Sequence, residues 1–252
     1  MNQVLLGEMT SEECGKAIKD ADFVLLPTGS TEQHSLHLPL LTDSIRAEYI
    51  SRRLAESSKS VKILVLPTLC YGYSEHHIHY PGTITLTPTT FQAVLFEIAS
   101  SLKKHGTKRL LILNFHGGNT EPIKIAADAI QRKLGLKVYA SSWTSLARDL
   151  IVEWAKSEDW GHACEHETSM ILHFRPDLVR KERIRKPNMA PKPTIRQIAY
   201  WEERTDTGGI GDPTKADAEF AEQLVEKVNT KIISALETDI KNENSPTSSG
   251  RA

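Results

Sequence analysis

The chain of 252 residues is 39% hydrophobic and 25% charged, and 31 Lys and Arg against 32 Asp and Glu leave a net charge of −1. This is the profile of one soluble globular domain with a sizeable core, and it excludes a global field for nucleic acid or for an anionic membrane. No apolar run is long enough to span a bilayer, no basic-then-apolar leader opens the chain, and the cysteines Cys14, Cys70 and Cys164 make no disulfide framework, so the expected compartment is the cytoplasm.

In chain order, Asp22–Pro27 is a short, continuously apolar run that reads as a strand, and Asp43–Ser57 reads as the helix after it. Ser60–Pro67 is a second apolar strand, followed by an aromatic and His-rich loop or hairpin over Leu69–Leu86. Thr87 and Pro88 form a good N-cap and first-turn pair, and Phe91, Leu95, Ile98 and Leu102 line one face of the helix they open, which Gly106 ends. Arg109–Asn114 is a third strand, the stripe Ile123, Ala127, Ile130 and Leu134 a helix closed by Gly135, and Lys137–Ala140 a fourth strand. Lys181–Pro193 is basic and proline-rich, and Asp212-Pro213 opens a last helix carrying Phe220, Leu224, Val228 and Leu236. Continuous apolar strands alternating with helices predict an α/β protein, its mostly parallel sheet covered on both faces with right-handed crossovers. Residues 1–240 are expected to form a single domain and the polar tail 241–252 to be disordered.

Three segments concentrate the chemistry: Gly29-Ser30-Thr31-Glu32-Gln33-His34 with Asp43, Asn114-Phe115-His116-Gly117-Gly118-Asn119, and His162-Ala163-Cys164-Glu165-His166-Glu167. Carboxylate and imidazole are good ligands for Zn²⁺, Mn²⁺ or Fe²⁺. Glu32 and His34 follow the first strand, His116 follows the third, and Asp43 opens a helix, so all four share one crevice if those strands are neighbours. Asp43 has two oxygens and can bridge two ions, between which a hydroxide attacks a carbonyl carbon. Taken singly, each segment also reads blandly: Asp43 as a helix cap, Asn119 as another, Gly117 and Gly118 as turn residues or as amides pointing at an oxyanion. Glu167 reads as a neighbour that orients a ligand or as a helix-start acid, and His76, His77 and His79 with Glu75 as a second metal cluster or, preferably, as a polar loop at the mouth of the site from which one histidine could touch substrate. A Cys164–His162 nucleophile pair would leave the carboxylates unexplained. The basic residues between Arg180 and Arg196 read as a solvated loop, with an anionic substrate group as the sharper alternative.

These motifs, with Tyr71-Gly72-Tyr73-Ser74, Pro81-Gly82-Thr83-Ile84 and Gly209-Ile210-Gly211-Asp212-Pro213-Thr214, resemble the creatininase (creatinine amidohydrolase) family in order and over nearly the whole chain. The resemblance implies a three-layer α/β/α fold, a centre of two divalent ions (zinc, manganese or iron), hydrolysis of C–N bonds in small amides, and a homo-oligomer. Carried over by position, Glu32, Asp43 and His116 would hold one ion and His34 and Asp43 the other. Creatininase proper has a further glutamate ligand where this chain has Gly118, and other branches of the family with the same Gly-Gly have a glutamate in a His-Ala-Gly-Glu motif that could serve instead. Glu165 is therefore the expected substitute, and creatinine itself becomes doubtful as substrate. His162 matches the proton donor, with Glu165 assisting, and Gly117, Gly118 and Asn119 are expected to face the substrate. The expected reaction is hydrolysis of a small amide, formamide or lactam, with a formamidopyrimidine nucleotide as the first guess. The alternatives are a two-metal hydrolase of a non-amide bond and a metal-binding regulatory protein without turnover.

Overall fold

The computed structural model describes residues 3–155, 159–191, 194–195 and 198–243. In chain order the elements are α1 (Ser11–Asp20), β1 (Phe23–Thr28), α2 (Thr42–Ser57), β2 (Ile63–Val65), α3 (Pro88–Lys104), β3 (Arg109–Asn114), α4 (Thr120–Leu134), β4 (Lys137–Ser142), α5 (Trp143–Leu146), α6 (Arg148–Ala155), α7 (Glu165–Phe174) and α8 (Ala218–Glu243). The four strands are parallel and lie in the order β2-β1-β3-β4. This is the expected α/β architecture, and β1 and β3 are direct neighbours, paired from Val24↔Leu110 to Thr28↔Asn114.

Alternate residues of each strand feed two separate cores. Phe23, Leu25, Ile63, Val65, Leu111 and Leu113 pack with buried residues of α2, α6, α7 and α8. Val24, Leu26, Leu64, Leu110 and Ile112 pack with α1, α3 and α4 on the other face. Helix, sheet and helix make three layers, which is why the central strands read as unbroken apolar runs.

Three differences from the sequence reading have local causes, and the expected loop over Leu69–Leu86 is present. The helix α1 opens with a capping box in which the Thr10 side chain accepts from Glu13 N–H and Glu13 reaches back to Thr10. Asp212-Pro213 opens only a short 3₁₀ turn, Pro213–Lys215; α8 begins later, at Ala218, after Asp217 has accepted from the amides of Glu219 and Phe220. Lys241–Glu243, assigned to the tail, continue α8, and Glu243 accepts from Tyr139 Oη at 2.9 Å and pairs with Lys137 at 2.9 Å; residues 244–252 lie outside the described residues. The Leu69–Leu86 segment is a loop around a 3₁₀ turn at Glu75–His77, tied to the Gly29–His34 loop by the Thr31↔Ile84 bridge. Among the described residues no helix is long and apolar enough to cross a membrane.

Candidate metal centre

The ends of β1 and β3 are clamped to each other before the ligands begin. Thr28 Oγ1 donates to Asn114 Oδ1 at 3.1 Å, and the same Asn114 amide accepts from His116 N and donates to the His116 carbonyl, at 3.1 and 2.6 Å. Gly29 lies so close to Ser44 that an added Cβ would stand 2.7 Å from its backbone nitrogen, which draws the first loop onto the start of α2. Glu32, His34, Asp43 and His116 are thereby brought together at the carboxyl end of the sheet, where open α/β sheets build their sites. All four are buried. Asp43 is not the cap of α2: the cap position is Leu41, and Asp43 turns into the site.

His116 Nδ1 lies 3.2 Å from both Glu32 Oε1 and Asp43 Oδ2. His34 Nε2 lies 3.4 Å from Asp43 Oδ1 and 3.9 Å from Glu167 Oε2. Asp43 thus faces both imidazoles with different oxygens. The far nitrogen of each ring is anchored on a carbonyl: His116 Nε2 donates to Tyr73 at 2.9 Å, and His34 Nδ1 to Glu32 at 3.2 Å. That keeps the outer proton of each ring in place and turns the inward nitrogen toward the carboxylates, the arrangement of a metal-ligating histidine once its inward proton is displaced. His162 stands beside them, with Nδ1 3.5 Å from Glu32 Oε1 and Nε2 donating to the Gln33 carbonyl at 2.7 Å.

Burial opposes charge on every group here, yet the carboxylates stay ionised. His116 holds Glu32 well below the usual carboxylate range, His34 and His116 do so for Asp43, and Arg46 with His34 for Glu167. In return, and against burial, Asp43 and Glu167 raise His34 to about 9, while Glu32 and Asp43 raise His116 far above an ordinary imidazole. His162 moves oppositely, to about 4, because burial and the adjacent His34 outweigh Glu32. Of the three buried carboxylates of the cage, Asp43 and Glu167 pair with a permanent cation, Arg46, and Glu32 does not. The cage therefore draws positive charge onto its inward nitrogens, and divalent ions would take the place of those protons.

The donor set fits such ions. Both Glu32 oxygens and His34 Nε2 are buried without a hydrogen bond. Glu32, His34 and Asp43 offer atoms within 4.8 Å of one another, as do His34, His162 and Glu167.

Glu165 stands apart from this cage. Its Oε2 accepts from Asp212 N–H at 2.8 Å, and it belongs to none of the ligand clusters among the described residues. The inward glutamate of α7 is Glu167, two residues further on, which faces His34, pairs with Arg46 and accepts from Ala163 N–H at 2.6 Å. Ala163 has φ 51°, a left-handed backbone that brings its amide onto Glu167. Gly118 accounts for why a glutamate is absent from its own position: a Cβ there would run into the Tyr73 carbonyl oxygen and the His116 ring. Gly117 is exposed with open space beside it. Asn119, expected beside substrate, is fully buried; its Oδ1 accepts from Tyr73 N–H and its Nδ2 donates to the Gly29 carbonyl, both at 2.9 Å, so it staples two loops. Cys164 pairs with His166, at 2.8 Å, and not with His162, and burial pushes its thiol up, which leaves no Cys–His nucleophile.

Sequence reasoning gave no role to Arg46 or Trp201 and placed His76 and His77 only in a loop at the mouth of the site. Arg46 donates to Asp43 Oδ1 at 3.1 Å and to Glu167. His76 and His77 close over the site, each clustered with Glu32. Trp201 covers them, its ring centroid 4.8 Å from that of His77 and 5.6 Å from that of His162.

A family model described as creatininase, creatinine amidohydrolase, matches residues 7–236. The mycofactocin precursor peptide peptidase of Mycolicibacterium smegmatis is 32% identical over 237 residues, which cover 89% of this chain and 87% of that one. Among solved structures, a manganese creatininase superposes with a TM-score of 0.84 at 27% identity, covering 94% of this chain and 99% of that one. A mutant creatininase of the Zn-Zn type gives 0.85 at 27% identity, covering 95% and 99%. Family model, three-layer fold and buried cage agree: the chain belongs to the creatininase family of amidohydrolases, hydrolases of C–N bonds.

Proposed function

We propose that the enzyme is a two-metal amidohydrolase acting on a small amide, formamide or lactam. The observation that carries this reading is the convergence of Glu32, Asp43 and Glu167 with the inward nitrogens of His34 and His116 in one buried cage. Glu32, Asp43 and His116 would hold one divalent ion, and His34, Asp43 and Glu167 the other. Zinc, manganese or iron bound there supplies a water deprotonated near neutral pH and a Lewis acid for the substrate carbonyl. His162, with Nδ1 turned toward Glu32 and Nε2–H held on the Gln33 carbonyl, takes the proton of the attacking water and returns it to the departing nitrogen. Gly117 and Gly118, which directly follow His116, would offer their amide N–H groups to the substrate, while Glu165 holds the Asp212 loop.

The reading is tested by loading purified protein with zinc or manganese and following ammonia, formate or amine release from creatinine, an N-formyl-aminopyrimidine nucleotide and short peptides. Release from at least one class is expected; two bound ions with no release from any would overturn it. His162→Ala should keep both ions and lose about 10²–10⁴ in turnover, the usual worth of a placed proton-transfer group. Unchanged turnover would remove His162 from the reaction. Glu167→Gln should weaken one ion by at least roughly tenfold, since even groups behind the ligands cost 10–100-fold, whereas Glu165→Gln should leave both occupancies intact. The reverse result, read by metal analysis after dialysis, would restore Glu165 as the ligand.

A further inference from the structure

The side chain of Gln33 has its orientation fixed by two backbone groups: Oε1 accepts from Ser35 N–H and Nε2 donates to the Gly208 carbonyl, both at 2.8 Å. A flipped amide would set carbonyl against carbonyl and N–H against N–H. Gly208 has φ +80°, and any Cβ there would collide with the Gln33 amide, so this loop is shaped around it. One hydrogen of Nε2 remains. Two ring nitrogens are in reach, His77 Nδ1 at 2.8 Å and His162 Nε2 at 3.1 Å. The His162 nitrogen is itself a donor to the Gln33 carbonyl at 2.7 Å and cannot accept. The hydrogen therefore goes to His77 Nδ1, which must carry a lone pair, and the neutral His77 ring holds its own hydrogen on Nε2.

That Nε2–H points into the cage. It lies 3.5 Å from Glu32 Oε1, an oxygen with no hydrogen bond. The ring is held flat against His162, with centroids 4.4 Å apart and planes at 26°, under Trp201. His77 is 1% exposed, and a donor held rigidly at the reacting centre with its nearest carboxylate oxygen 3.5 Å away is placed to bind an oxyanion. The same tautomer disqualifies His77 as a metal ligand, since the inward nitrogen has no lone pair, so the Glu32, His77 and His162 grouping is not a third ion site.

We propose that His77 is a catalytic residue whose Nε2–H donates to the substrate carbonyl oxygen as it gains charge, and that Gln33 is the positioning residue that keeps the hydrogen on that nitrogen. No proton leaves His77; it strengthens one hydrogen bond in the transition state. This rests on the amidohydrolase reading above, and its test is readable without turnover.

In zinc-loaded protein labelled with ¹⁵N-histidine, long-range ¹H–¹⁵N spectra should give His77 as the Nε2–H tautomer. Saturating acetohydroxamate, whose carbonyl oxygen mimics that of an amide, should move the Nε2–H signal downfield. Gln33→Glu, which can only accept, should convert His77 to the Nδ1–H form. A wild-type Nδ1–H tautomer, or an Nε2–H signal unmoved by the hydroxamate, overturns the proposal. On the best amide substrate, His77→Phe should keep two zinc ions and lose about 10²-fold in kcat with little change in KM. His77→Gln, whose amide can present an N–H near the same place, should recover at least tenfold of that. A His77→Phe enzyme within threefold of wild type, or one that has lost a zinc, also overturns it. Failure of the amidohydrolase reading would appear separately, as zinc-loaded wild-type protein that releases nothing from any amide.

Discussion

Asn in place of Asp43 is expected to strip the protein of both ions and lower turnover by about 10³-fold or more, the several kcal/mol that metal charge supplies to a developing oxyanion. Asp43 is the one carboxylate that faces both inward imidazoles, Oδ1 toward His34 at 3.4 Å and Oδ2 toward His116 at 3.2 Å. An amide keeps the shape but offers one oxygen and no charge. Its NH₂ group would turn a donor toward one inward nitrogen or toward Arg46 and Ser30, which donate to Asp43 at 3.1 and 2.9 Å. The fold should survive, since removing one of three crowded carboxylates relieves repulsion and Arg46 keeps Glu167 as a partner. Metal content after dialysis and kcat on the same sample check this. An Asp43→Asn protein with two ions and turnover within threefold of wild type would show that the carboxylate bridges nothing.

Arg46→Met should act on stability first. Arg46 is fully buried and holds Asp43 and Glu167 together, with Thr144 Oγ1 accepting from Nη2 at 3.3 Å. Methionine fills much of the volume but leaves the carboxylates of Glu32, Asp43 and Glu167 with no permanent cation. Breaking a buried pair by removing one partner costs about 3–5 kcal/mol, and at roughly 2–4 °C per kcal/mol for a domain of this size the metal-free protein should melt about 10 °C lower. Added zinc should raise the melting temperature of Arg46→Met more than that of wild type, because the ions then supply all of the missing positive charge. A metal-free shift under about 2 °C would mean that the arginine does not neutralise the cage.

How much of this was legible in the sequence depended on whether a residue's environment was local. Arg109–Asn114 was readable to the residue because a central strand covered on both faces is apolar throughout. Ser60–Pro67 was over-read: β2 is an edge strand, and only Ile63–Val65 pair with β1. The first seven residues of α7 are all buried, polar ones included, so it carries no amphipathic stripe for a periodicity argument to find. Within it, Glu165 and Glu167 are about 200° apart around the helix, so only one can face His34, and which one depends on how α7 docks. Arg46 hides for the same reason, three residues after Asp43 on a helix whose buried face is elsewhere Ala47, Ile50 and Leu54. The capping box of α1 is legible in the local Thr10-x-x-Glu13 pattern. His76 and His77 were the hardest, because their place depends on a loop that closes only when Asn119 takes the Tyr73 amide and Gln33 takes His77.

The proposed function requires the buried cage to take up two divalent ions. Crystals of zinc-loaded protein, with anomalous scattering at the zinc edge, test it most directly. The expected result is two peaks per chain joined through Asp43, one against Glu32 and His116 and the other against His34 and Glu167. A single peak, peaks away from these side chains, or none at saturating zinc would contradict it.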